Sequence, residues 1–195
     1  MIDHNMLKLY TNRNKKFITL IVIITLFFSN ASFCQSTIFK PSSEEEKNLV
    51  KNITNYLKLS FITEPARAID YFPIEVFEVI ANNAGPGWSI QDVKKMMKQE
   101  VYSATIPGNK TFIIHEILNK VLMKDQIVYI VSYSVKIESK NESGSIPMET
   151  ICIYNKLDRN WEYLEYNNNA FTQEVLSKMF TPSAVNKVLD FESNK

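Results

Sequence analysis

Glycine is scarce in this chain, with four residues in 195. Four glycines leave little room for phosphate-cradling loops, and neither Gly-x-Gly-x-x-Gly nor a phosphate loop occurs. The Gly-x-Ser-x-Gly turn that exposes a nucleophilic serine is missing too. Cysteine is rarer still: Cys34 and Cys152 are the only two. No Cys-x-x-Cys is present, and the two histidines form no His-Glu-x-x-His, so no zinc site is predicted. Acidic residues are dispersed apart from Glu44-Glu45-Glu46, and no calcium loop appears. An excess of one charge is lacking as well, since 22 basic against 21 acidic residues give a formal net charge of +1. Without a strong basic field, nucleic acid is not an expected partner. Hydrophobic residues at 45% and charged residues at 22% exclude the disordered and collagen-like classes. No cofactor is implied.

What is present begins with an export pattern. Lys8, Arg13, Lys15 and Lys16 precede a charge-free apolar run from Phe17 to Phe28, then Ser29-Asn30-Ala31-Ser32-Phe33-Cys34-Gln35. A basic start, a dozen apolar residues and a small-residue exit predict a secretory signal peptide over 1–34. The run is short of the roughly 20 residues that span a bilayer. A permanent anchor is the alternative if Ser29–Phe33 extends it. Ser32 and Cys34 suit the two shallow pockets of a signal peptidase, which places the cut between Cys34 and Gln35. Acylation of Cys34 as an outer-membrane lipoprotein is the second alternative, and the bulky Phe33 before it fits that poorly. The predicted location is therefore the periplasm or the exterior, with no membrane attachment once the signal is gone. Removing four basic residues and one acidic from 22 and 21 leaves 18 and 20, a slightly acidic body. It would hold Cys152 as its one thiol, so folding rests on packing alone.

Residues 35–43 form a short leader, and 44–190 read as a single α+β domain. Ser43-x-x-Glu46 is a capping box opening a helix with Leu49, Ile53, Tyr56, Leu57 and Phe61 on one face. Short helices follow at Pro65–Tyr71, capped by Thr63, and at Pro73–Ala81, with Ile74, Phe77 and Ile80 on one side. Ser89-x-x-Asp92 caps another over Ile90–Val101. The period then changes from helical to alternating. Strands are predicted over Thr111–Leu118, Ile127–Glu138, Met148–Tyr154 and Trp161–Tyr166. In the second, every odd position is apolar or aromatic, so one face is buried. Thr172 and Thr181-Pro182 open two short helices ending near Leu189. The order predicts N-terminal helices packed on one face of a curved, mainly antiparallel four-stranded sheet, with a short C-terminal helical tail.

The first helix ending in an aromatic, the broken second helix around Tyr71-Phe72-Pro73, and Asn160-Trp161-Glu162-Tyr163 resemble the nuclear-transport-factor-2-like superfamily over Ser43 to Tyr166. That resemblance implies a cone of helices and curved sheet with a pocket at its wide end. Members include polyketide-cyclase-like enzymes, dehydratases, isomerases and non-catalytic binding modules. The helical tail departs from the usual ending at a strand, and a cystatin-like or other α+β roll is the alternative.

Candidate site residues follow from chemistry. Trp88, on Gly85-Pro86-Gly87, is either a lid over a pocket or a loop anchor. Tyr129, Tyr133, Trp161 and Tyr163 either line a ligand pocket or pack as core. His115, with Ile113 and Ile117 expected on its face, is the one candidate base, paired with Asp70 or Glu100. Cys152 reads as a small buried side chain. The expected function is an exported, non-catalytic module binding a small apolar ligand or a protein partner in an aromatic-lined cleft. A homodimer is left open. The alternative is a cone-type dehydratase or isomerase using His115, and a third is a structural envelope protein with no pocket.

Overall fold

The computed structural model describes residues 39–103, 108–138, 143–167 and 169–191. The predicted signal peptide, its cut between Cys34 and Gln35, and most of the leader lie outside the described residues.

Helix α1 spans Glu44–Lys58. Ser43 Oγ accepts from Glu46 N at 3.1 Å, as the capping box requires. The Glu46 carboxylate, however, accepts from Ser42 N and Oγ instead of Ser43 N. After Lys58 the backbone widens into a π-turn, Leu59–Thr63, which takes Phe61 out of the α-helix. Short α2, Pro65–Ala68, and a 3-10 turn, Ile69–Tyr71, follow. Thr63 does not cap α2; its hydroxyl donates back to Lys58 O at 3.4 Å. Helix α3 covers Ile74–Ala84, with Val76, Phe77 and Val79 inward and Ile74 left exposed. Helix α4 is Ile90–Ser103. Its cap is fully reciprocal: Asp92 N donates to Ser89 Oγ, and Ser89 N donates to Asp92 Oδ2.

Four strands follow: β1 Asn109–Leu122, β2 Gln126–Glu138, β3 Ser143–Asn155 and β4 Asn160–Glu165. They form one antiparallel sheet in the order β1-β2-β3-β4. β1 is longer than its β-branched stretch suggested and carries two register shifts, between Ile114 and Glu116 and between Ile117 and Asn119. Such bulges bend a strand and increase its twist. Two helices close the fold: α5, Ala170–Met179, and α6, Pro182–Leu189. Asn169, not Thr172, caps α5, accepting from Thr172 N; Thr172 is buried one turn inside.

The fold is therefore α+β, as the sequence order implied, but helices cover both faces of the sheet. On one face, Tyr129, Val131, Tyr133, Val135, Cys152 and Tyr163 pack against Leu49, Ile53, Tyr56 and Leu57 of α1. On the other, Val128, Ile130, Ile151, Ile153 and Leu164 pack against Val76 and Val79 of α3, Val175 and Leu176 of α5, and Val185 and Val188 of α6. Among the even positions of β2 only Val128 and Ile130 are apolar. The C-terminal helices need that face, and each fully buried aliphatic side chain there contributes about 1.5–3 kcal/mol. No helix among the described residues is long and apolar enough to cross a membrane.

Candidate functional site

β4 fixes the site by its two-residue period. Trp161, Tyr163 and Glu165 point to the α1 face, and Glu162 and Leu164 to the other. A carboxylate thus ends a buried aromatic row. Tyr163 stacks on Tyr56 of α1, ring centroids 4.0 Å apart and 11° from parallel. Trp161 continues the row, at 6.5 Å from Tyr163, 6.0 Å from Tyr129 and 5.0 Å from Tyr154.

Glu165 meets this row at the rim of the core. The Tyr133 hydroxyl lies 3.0 Å from both carboxyl oxygens and 3.5 Å from Met148 Sδ. Both Glu165 and Met148 keep part of their surface exposed, so the group is reachable from solvent. Protein nevertheless surrounds the carboxyl densely, and that burial pushes it up to about 7, against a small opposing effect of the Tyr133 hydrogen bond. Burial, reinforced by the nearby Glu165 charge, raises the Tyr56 and Tyr133 hydroxyls and the Cys152 thiol. Cys152 is therefore an unreactive, protonated side chain. Ser60, in the π-turn, lies close enough to the Tyr56 hydroxyl to lower it against that burial. Its Oγ is buried with no hydrogen-bond partner among the described residues.

The far end of the same face is organised differently. Tyr129 donates to Glu45, whose carboxylate also holds Lys120 at 2.7 Å. These two hydrogen bonds lower Glu45, while burial raises the Tyr129 hydroxyl. There the carboxylate has a cation, whereas at Glu165 a phenol is the donor.

Four of the five pocket candidates, Tyr129, Tyr133, Trp161 and Tyr163, are brought together on the α1 face. Three of them, Tyr129, Tyr133 and Tyr163, are almost wholly buried. They form packed interior rather than the walls of an open cleft. Trp88 is not among them: it packs on a separate cluster with Ile69, Phe77, Ala81 and Val93. Gly85 and Gly87 both have φ +96°, which lets the loop turn back to seat it. His115 is the extra residue of the first β1 bulge. The bulge moves Ile117 to the α1 face, opposite Val131, so His115 and Ile117 do not share a face as expected. His115 Nε2 is 2.9 Å from Ser134 Oγ, and Ser134 is buried. Asp70, one suggested partner, instead accepts from Lys98 at 2.7 Å through both oxygens. Among the described residues no group of three His, Cys, Asp or Glu is placed to hold a metal.

Three features were missed. Glu165 was legible in principle, because the alternation that buries Trp161 and Tyr163 also buries position 165. Ser60 was not, since a regular helix would have placed it differently from a π-turn. A groove of about 550 Å³ between α2, the 3-10 turn and α4 also went unread.

No family model matches the chain, and no curated protein matches it. A solved structure similar to it comes from Xanthomonas campestris and is described as a calcium/calmodulin dependent protein kinase II association domain. The identity is 12%, over 69% of this chain and 92% of that one, with a TM-score of 0.44.

Proposed function

We propose that the chain is an exported, non-catalytic binding module of the cone type, acting in the periplasm or outside the cell. In this reading its ligand is small, with an apolar body at the rim, where Met148 keeps part of its surface exposed, and a hydrogen-bonding head at Glu165. The observation that carries the reading is a carboxyl served by one phenol at the reachable rim of an aromatic interior, with a buried hydroxyl, Ser60 Oγ, facing Tyr56 of that interior and holding no hydrogen-bond partner among the described residues. Buried polar groups are nearly always satisfied, and each exception asks for a reason. A ligand head that donates to Glu165 and meets Ser60 Oγ supplies one. A protonated amine or a hydroxyl fits; a carboxylate would repel the ionised Glu165. The basic start and apolar run of residues 1–34 support the compartment.

The test uses one body with three heads: phenethylamine, phenethyl alcohol and hydrocinnamate, read by thermal shift at pH 8. The amine and the alcohol should raise the Tm of the mature protein and hydrocinnamate should not. Glu165→Gln should abolish the advantage of the amine. No shift with any of the three, or equal shifts in both proteins, would contradict the reading.

A further inference from the structure

The groove between α2, the 3-10 turn and α4 is lined by Ala66, Asp70, Gln91, Lys94, Lys95, Lys98 and Gln99. Helical spacing orders these residues. Gln91, Lys95 and Gln99 follow one another at steps of four, so amide, ammonium and amide stand one turn apart along one line. Lys94 and Lys98 form a parallel line beside them.

Two of the ammonium groups are held in place. Lys98 Nζ is fixed by both oxygens of Asp70 at 2.7 Å, and Lys94 Nζ sits over the Phe77 ring, 4.6 Å from its centroid. Lys95 is exposed and makes no ion pair among the described residues. The Asp92 carboxylate, which feels its charge, is engaged in the Ser89 cap. Three cations against the single Asp70 leave the groove positive on a body whose overall balance is slightly acidic.

We propose that this groove is a docking surface for an acidic peptide segment of a partner protein. Charge complementarity supplies the attraction and the glutamines supply the choice of polymer. A glutamine amide both donates and accepts, as a peptide group does, so Gln91 and Gln99 can pair with main chain while the lysines meet Asp or Glu side chains. Phosphate or sulfate would use the lysines and offer no donor to the amide oxygens. An acidic glycan has hydroxyl donors, but none of the lining residues is an aromatic platform for a sugar face. The surface lies on different elements from Glu165, and nothing in it depends on the ligand proposed there.

A fluorescein-labelled (Glu-Gly)5 peptide, titrated by anisotropy against the mature protein, tests this directly, with unlabelled trigalacturonate and inorganic phosphate as competitors. Binding that weakens about tenfold in Lys95→Glu, and several-fold in Gln91→Ala/Gln99→Ala, is expected. Lys51→Glu, an exposed change on α1 outside the groove, should leave it unchanged, and far-UV circular dichroism should be the same for all variants. Absence of peptide binding would overturn the proposal. So would an equal loss in Lys51→Glu, no loss in the double glutamine variant, or displacement of the peptide by trigalacturonate or phosphate at peptide-like concentrations.

Discussion

The two faces of the sheet bury their side chains by different chemistry. The face under α3, α5 and α6 is built from Val, Ile and Leu. The face under α1 carries hydroxylated and thiol side chains, Tyr56, Tyr129, Tyr133, Tyr163 and Cys152 among them, and meets a carboxylate at each end, Glu45 and Glu165. An aliphatic face can be optimised for packing alone. A phenol-rich face must satisfy every hydroxyl, and where it fails to do so it retains polar groups able to meet a ligand. The difference between the faces separates what holds the fold from what gives it chemistry.

Breaking the aliphatic face should have the largest effect. Ile151→Ala or Leu176→Ala, each at a position with no exposure, should cost about 2–5 kcal/mol in urea unfolding. That loss should be the same at pH 5 and pH 8, because the cluster around those residues holds no carboxylate, histidine or ammonium side chain.

The α1 face should instead show pH dependence. The Glu165 carboxyl sits at about 7 in the fold against an ordinary 4.5, so between those values the fold holds a proton that the unfolded chain has released. The stability tied to that proton is complete below about 4.5 and lost as the pH rises through about 7. Glu165→Gln should remove that slope and leave the protein about 2–4 kcal/mol better off at pH 8 relative to pH 4.5 than the parent. Paired urea titrations across this range would detect it. Tyr133→Phe removes the hydroxyl that favours the ionised form. It should cost about 1–3 kcal/mol at pH 8 and less at pH 5. At the other end of the face, Tyr129→Phe should cost about 0.5–1.5 kcal/mol. Part of the Glu45 interaction should fade in 1 M salt, because Lys120 and Glu45 are partly exposed.

Much of the architecture was legible before any coordinates. The Ser43 and Ser89 caps, the switch from helical to alternating periodicity, and the odd positions of β2 all give the right elements in the right order. The sequence misled where local rules compete with tertiary needs. His115 looked like part of a regular strand face, and a bulge, which no single-strand pattern reveals, turned Ile117 to the opposite side. The second buried face was hidden because Val128 and Ile130 read equally well as filler between odd-numbered aromatics. The aromatic candidates were the right residues to group, but burial rather than an open cleft explains their proximity. Glu165 escaped notice because a lone glutamate near a strand end usually faces solvent. The alternation that puts Trp161 and Tyr163 on the α1 face also puts position 165 there.

The central claim is that the α1 face encloses one carboxyl whose proton the fold retains near neutrality. A 13C-NMR titration of the side-chain carboxyls, with the Glu165 signal assigned by its loss in Glu165→Gln, measures this without reference to any ligand. The account predicts a midpoint near 7 for that resonance. A midpoint near 4.5, where an ordinary exposed glutamate titrates, would contradict it.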